Sequence, residues 1–114
     1  MITTEHNETR LRASVFGEFA LADLKELEDQ VAYRLEFKGK INLLLDLTEM
    51  VKYTIDTVVE EFRFGKNHPG AFEKVAVLTD SQWIGSLAWA FNLFTDADVK
   101  VFHDSHEAEG WLAA

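Results

Sequence analysis

Hydrophobic and polar residues alternate along RLRASVFGEF, residues 10–19. Leu11, Ala13 and Val15 fall on one side, and Arg10, Arg12 and Ser14 on the other. A period of two marks a strand with one buried face. Residues 1–6 fit a short strand before it, joined as an antiparallel hairpin through the polar pair Asn7–Glu8. From Ala20 the period lengthens: Leu21, Leu24, Leu27, Val31 and Leu35 recur three or four apart, with Lys25, Glu26, Glu28, Asp29 and Arg34 between them. That spacing predicts an amphipathic helix, and Gly39 is placed to end it.

The run INLLLDL, residues 41–47, is almost continuously apolar and suits an interior strand covered on both faces. Ile55, Val58, Val59 and Phe62 return to helical spacing, and KNHPG, with the only proline, ends that helix at residues 66–70. Residues 74–79 (KVAVLT) predict a buried strand, 82–94 a helix, and 99–103 (VKVFH) a last strand. Ala108, Trp111 and Leu112 belong on a short closing helix entered through Asp104–Ser105, with Glu107 placed for a capping box. The order β-β-α-β-α-β-α-β-α predicts an α/β fold: a single open, mostly parallel five-stranded sheet with four helices packed on its faces.

Composition narrows the function. The chain has 114 residues, 47% hydrophobic and 27% charged, which suits one globular domain able to bury about two thirds of its unfolded surface. Cysteine is absent, so disulfides, thiolate metal ligands and thiol nucleophiles are excluded. The charge is −9, from 11 basic and 20 acidic residues, with no basic cluster. Neither nucleic acid nor an anionic lipid surface is an expected partner. The longest charge-free stretch, Ser81–Thr95, falls short of the roughly 20 apolar residues that span a bilayer. The N-terminal MITTEHNETR lacks a signal pattern. The expectation is a soluble, cytoplasmic protein without stable membrane insertion.

The strand LLLDLTE (43–49), the segment YTIDTVVEEFRFGKNHP, the run EKVAVLTDSQW (73–83), FNLFTDADVKVF (91–102) and the closing HEAEGWL follow one another in an order that resembles the SpoIIAA-like group of small bacterial proteins. That group is related in fold to STAS domains and in structure to CRAL-TRIO lipid-binding domains. The resemblance covers nearly the whole chain and implies a STAS-type strand order. Anti-anti-sigma STAS proteins carry an Asp-Ser-Ser-Gly-Leu phosphorylation site after the LDL strand. The matching region here is TIDTVV (54–59), where Asp56–Thr57 keeps the beginning while the second serine and the glycine are missing. Thr57 is the candidate phosphoacceptor; Thr54 and Thr57 equally suit a helix start.

Candidate chemistry is sparse. Asp46, Asp80 and Asp104 fall at or just past the carboxyl ends of three predicted strands, the edge where open α/β sheets bind ligands. Three carboxylates there suit a divalent cation or acid–base work, whereas Asp80 and Asp104 also suit helix caps. A response-regulator receiver would need an acidic pair at its first strand and a lysine near its last, and neither is in place. His103 and His106 have the spacing of a ligand pair but straddle a strand-to-helix boundary, with no evident third ligand. No serine lies in a G-x-S-x-G elbow, and the six glycines are scattered. The chain is expected to be non-enzymatic, with no cofactor and no metal.

The unusual segment is DSQWIGSLAWAFNLFTD. Trp83, Leu87, Phe91 and Phe94 mark one helical face, while Trp89 and Leu93 point away from it, so apolar surface wraps most of the helix. A helix on the outside of a sheet needs one buried stripe; the excess implies a ligand, a partner, a second copy or coverage by neighbouring elements. Gly85 and Ser86 weaken the helix, as a movable lid over an apolar pocket would require. Met50, Val51 and Tyr53 are expected in a loop after the central strand. The CRAL-TRIO resemblance implies an apolar small molecule or lipid as ligand, with Tyr53, Phe62, Trp83, Leu87, Trp89, Phe91 and Phe94 lining or gating its pocket. The alternative is a STAS-type protein–protein interaction module, homodimeric through the same segment and lacking the usual phosphoserine site.

Overall fold

The computed structural model describes residues 1–53, 72–80 and 97–114, with the main chain alone at residues 37, 38 and 53. They form β1 (Ile2–His6), β2 (Leu11–Phe19), α1 (Leu21–Lys38), β3 (Ile41–Tyr53), β4 (Phe72–Leu78), β5 (Asp98–Phe102) and α2 (Ser105–Ala113). Two of the four expected helices are therefore seen. Those expected around residues 55–62 and over 82–94 lie outside the described residues.

The five strands make one sheet in the order β1-β2-β3-β4-β5. β1 runs antiparallel to β2, and β2–β3, β3–β4 and β4–β5 are parallel. The sheet is thus mixed, not mostly parallel as expected. Its antiparallel edge follows from the short hairpin connection, which cannot carry a parallel crossover. The loop has four residues rather than the pair Asn7–Glu8. The Asn7 Oδ1 accepts from the Thr9 amide and hydroxyl, each at 2.8 Å, and from the Arg10 amide at 2.9 Å, a side chain folding the loop around itself.

α1 buries Leu24, Leu27 and Val31, the stripe its spacing predicts. The Asp23 carboxylate accepts the Ala20 amide at 3.0 Å, occupying a donor at the helix start. At its other end the Gly39 amide donates to the Leu35 carbonyl at 3.3 Å, and Gly39 stands at φ +73°, which side-chain-bearing residues rarely adopt. Gly39→Ala is expected to cost roughly 1–3 kcal/mol, read as a lowered urea midpoint with unchanged slope.

The largest difference from the sequence reading is β3. Met50, Val51 and Tyr53 continue the strand instead of forming a loop. β2 stays beside them, pairing Phe16 with Glu49, Gly17 with Met50 and Phe19 with Tyr53 across two register shifts. Gly17, at φ +67°, accommodates the distortion, as glycine does in bulges. The bulge turns Leu47 and Met50 to the same core although they are three apart, which disguises the alternation.

The sheet separates two cores. Leu11, Ala13, Val15, Leu43, Leu45 and Leu47 pack with the buried face of α1 on one side. On the other side Leu44, Ala76, Leu78 and Phe102 meet Ala108 and Leu112 of α2. The continuous apolar run in β3 thus supplies both faces.

Candidate functional site

The alternation that turns Leu11 and Ala13 into the larger core turns Arg10 and Arg12 to the opposite face, under α2. Arg10 is 7% exposed. Its Nε and Nη2 donate to the two carboxylate oxygens of Glu109 on α2, both at 2.7 Å, the two-pronged geometry that guanidinium and carboxylate share. Arg12 Nη2 donates to Asp46 Oδ2 at 2.8 Å, and its Nη1 to Ser105 Oγ at 3.1 Å and Glu109 Oε2 at 3.4 Å. Asp46 Oδ1 accepts from the Thr48 hydroxyl at 2.6 Å and amide at 3.0 Å. A seam of charge therefore joins β2, β3 and α2.

Hydrogen bonds from Arg10 hold the Glu109 carboxyl below the usual carboxylate range despite its partial burial, and both arginines add their charge. The same contact with Glu109 raises Arg10 against the opposing effect of burial. For Asp46 burial is the largest influence and acts upward. The Thr48 hydroxyl and amide together with Arg12 outweigh it, so the carboxyl is lowered overall. Groups lowered in the fold stabilise it above their unfolded values, about 3.9 for Asp and 4.3 for Glu. That stabilisation is lost as pH falls through the folded values. Asp46→Asn is expected to lower stability near neutral pH and to flatten its decline below about pH 4, measured as urea midpoints across pH. Equal acid slopes for both proteins would remove Asp46 from the account.

The far end of α2 is held by the sheet. Lys74 Nζ donates to the main-chain oxygens of Trp111 (3.1 Å) and Ala114 (3.0 Å) and lies 5.4 Å from the Trp111 ring centroid. Asn42 Nδ2 donates to the carbonyls of Thr9 (3.0 Å) and Leu112 (3.3 Å), while its Oδ1 accepts the Lys74 amide. A cation at a helix C-terminus opposes the negative end of the dipole. α2 has no basic residue in its own last turn.

The three aspartates serve separate ends. Asp46 is paired with Arg12. Asp104 caps α2, accepting the His106 amide at 2.9 Å, and Asp80 is exposed just past β4. No group of three or more acidic or histidine side chains among the described residues is arranged for a metal. His103 Nδ1 lies 2.7 Å from the Thr79 carbonyl, tying the ends of β4 and β5, whereas His106 begins α2. Tyr53 lies at the end of β3. Phe62, Trp83, Leu87, Trp89, Phe91, Phe94 and Thr57 lie outside the described residues.

Sequence reasoning did not single out Arg10, Arg12, Lys74, Asn42 or Glu109. The available signal was the pair of arginines on the second face of a strand, two residues apart and flanking buried Leu11. Glu109 gives none, since it reads as one more solvated acid in HEAEGWL.

The arrangement of one bulged, mixed sheet with α1 on one face and α2 on the other can be compared with known proteins. A profile of SpoIIAA-like proteins matches residues 10–113. The chain belongs to the SpoIIAA-like family. Among solved structures it is similar to an uncharacterised protein of the DUF3478 family with a SpoIIAA-like fold from Shewanella loihica PV-4. The two share 22% identity at a TM-score of 0.77, over 98% of this chain and 92% of that one. It is also similar to the anti-sigma factor antagonist SpoIIAA in its unphosphorylated form (9% identity, TM-score 0.64, 99% and 97% covered). An anti-sigma factor antagonist from Mycobacterium paratuberculosis is similar as well (11%, 0.64, 100% and 94%). At these identities the likeness is one of fold. No curated protein is matched. No helix among the described residues of this SpoIIAA-like chain is long and apolar enough to cross a membrane.

Proposed function

We propose that this SpoIIAA-like chain is a non-enzymatic regulatory module that works by binding another protein. The observation that carries this reading is the fold, shared along nearly the whole chain with two proteins named as anti-sigma factor antagonists. The local chemistry is compatible with it. Asp46, Asp104 and Glu109 are engaged in holding α2 and its neighbouring strands together.

The contact residues in this proposal are those of the apolar segment, Trp83, Leu87, Trp89, Phe91 and Phe94, together with Tyr53 and Phe62. Large aromatics are the residues that dominate protein interfaces. Thr57 is the proposed place for modification. The same apolar residues are the argument for the second reading, a pocket for an apolar small molecule or lipid.

One experiment separates the two. The full chain is purified at native abundance, weighed by native mass spectrometry, and reconstituted with any protein that accompanies it in fixed ratio. The expected result is an adduct-free chain that forms a defined complex with the purified partner, lost in Trp89→Asp. A stoichiometric adduct of lipid-like mass, with no reconstituted protein complex, would replace this reading with the ligand-binding one. A complex made only of two copies would show self-association instead of regulation of a partner.

A further inference from the structure

α2 depends on its seat. It is nine residues long, shorter than the roughly 12–15 residues at which an isolated helix becomes even marginal in water. It also carries Gly110 in its interior, where glycine weakens a helix. The groups that meet its closing carbonyls, Lys74 and Asn42, belong to the sheet. Leaving the sheet removes apolar contact and capping together, so docking and helix formation are one event. The seat is also shallow. Ala108 and Leu112 are the residues α2 buries fully, against Leu44, Ala76, Leu78 and Phe102, with Trp111 packed partly buried beside them. α1, in contrast, is 18 residues long and feeds the larger core.

The seat is demanding about what fills it. The Arg10 side chain is 5% exposed and has Glu109 as its close partner. With α2 displaced, it would keep Glu5, which is 75% exposed and 3.3 Å away. Lifting α2 lets water reach Arg10, but a helix that covered it again without a carboxylate would bury an unpaired cation, which is strongly disfavoured. A merely apolar helix is therefore a poor replacement for α2. A helix that sets a carboxylate beside an apolar pair meets both requirements.

We propose that α2 is a latch. It opens from the sheet as one unit, and the vacated seat takes an acidic amphipathic helix from a partner protein, whose carboxylate replaces Glu109 between Arg10 and Arg12. The opening is independent of the function proposed above; the choice of a protein helix as occupant rests on that reading.

The test uses the full chain and two readouts. Amide hydrogen exchange is expected to show residues 108–113 opening together, at least about tenfold faster than the amides of β3 and β4, because local units open below the global limit. Glu109→Gln is expected to speed α2 by a further ~10-fold or more while leaving β3 and β4 unchanged, since it loses a hydrogen-bonded charge pair. A labelled synthetic peptide of residues 104–114, followed by fluorescence anisotropy, is expected to bind the Glu109→Gln chain at least about tenfold more tightly than the unaltered chain. The same peptide carrying Glu109→Gln is expected not to bind. If Glu109→Gln does not fold, Leu112→Ala, a change on α2 itself that leaves the seat whole, loosens the latch from its other end and must give the same selective changes. α2 amides that exchange only with β3 and β4 overturn the latch. Equal binding of the two peptides, or binding of neither, overturns the occupant, and it does so without touching the reconstitution that tests the proposed function.

Discussion

Leu44→Ala is expected to destabilise the protein by about 3 kcal/mol, within the 2–5 kcal/mol typical of buried Leu-to-Ala changes. Leu44 is fully buried, and its cluster joins β3, β4 and β5 to α2. The loss combines transfer of the removed methyl groups with the space left behind. Ala76 and Ala108 beside it are too small to fill that space. Urea denaturation should show a lower midpoint with an unchanged slope, and Leu44→Met should cost under about 1.5 kcal/mol. A loss below about 1 kcal/mol would mean that α2 settles into the gap, making its seat more plastic than the packing indicates.

Arg10→Ala is expected to cost about 2–3 kcal/mol. Removing one partner of a fully buried ion pair costs about 3–5 kcal/mol. The value is reduced here because the Glu109 side chain is 32% exposed and regains water. Arg10→Met, which keeps an apolar stem in place of the guanidinium, should cost less, since hydrophobic replacement of buried charge is often near neutral. The pairing itself is measured by the cycle with Glu109→Gln. A coupling of about 1–3 kcal/mol is expected for residues in one hydrogen-bonded network. Additive losses would show that the two side chains act separately. This cycle reports global stability, whereas exchange in α2 reports its opening, so the two can disagree informatively.

The sequence was most legible where local chemistry decides the outcome. Leu24, Leu27 and Val31 mark the buried stripe of α1 in advance, and Gly39 ends it because its backbone conformation suits glycine. The apolar run from Ile41 to Leu47 announces an interior strand for the same reason: hydrophobic neighbours of alternating direction require cover on both faces. Beyond Leu47 the signal fails. Two register shifts between β2 and β3 break the period of two, so Met50 to Tyr53 look like a loop although they pair in the sheet. Nor can periodicity reveal that Arg10 meets Glu109, 99 positions away. Arg10 looks like the polar side of an ordinary strand until α2 is laid across it. Asp46 illustrates the same limit from the other direction. Its place near a strand end suggested a reactive carboxylate, whereas Arg12 and Thr48 make it a fastening.

The strand order has a consequence for how the molecule comes into being. Since β1 to β5 lie side by side in the order in which they are synthesised, the sheet can be extended at a single edge as the chain emerges. Among the described strands, none has to be inserted between two already placed. Each addition pairs with its immediate predecessor among the strands, which keeps loop-closure costs close to the minimum a parallel sheet allows. α2 reaches across β3 and β4 to β2, and Glu109 closes onto Arg10 only after every strand has been made. The buried arginine of the second strand thus waits until the five described strands have been made before its charge is answered, so its ion pair records that this sheet is complete.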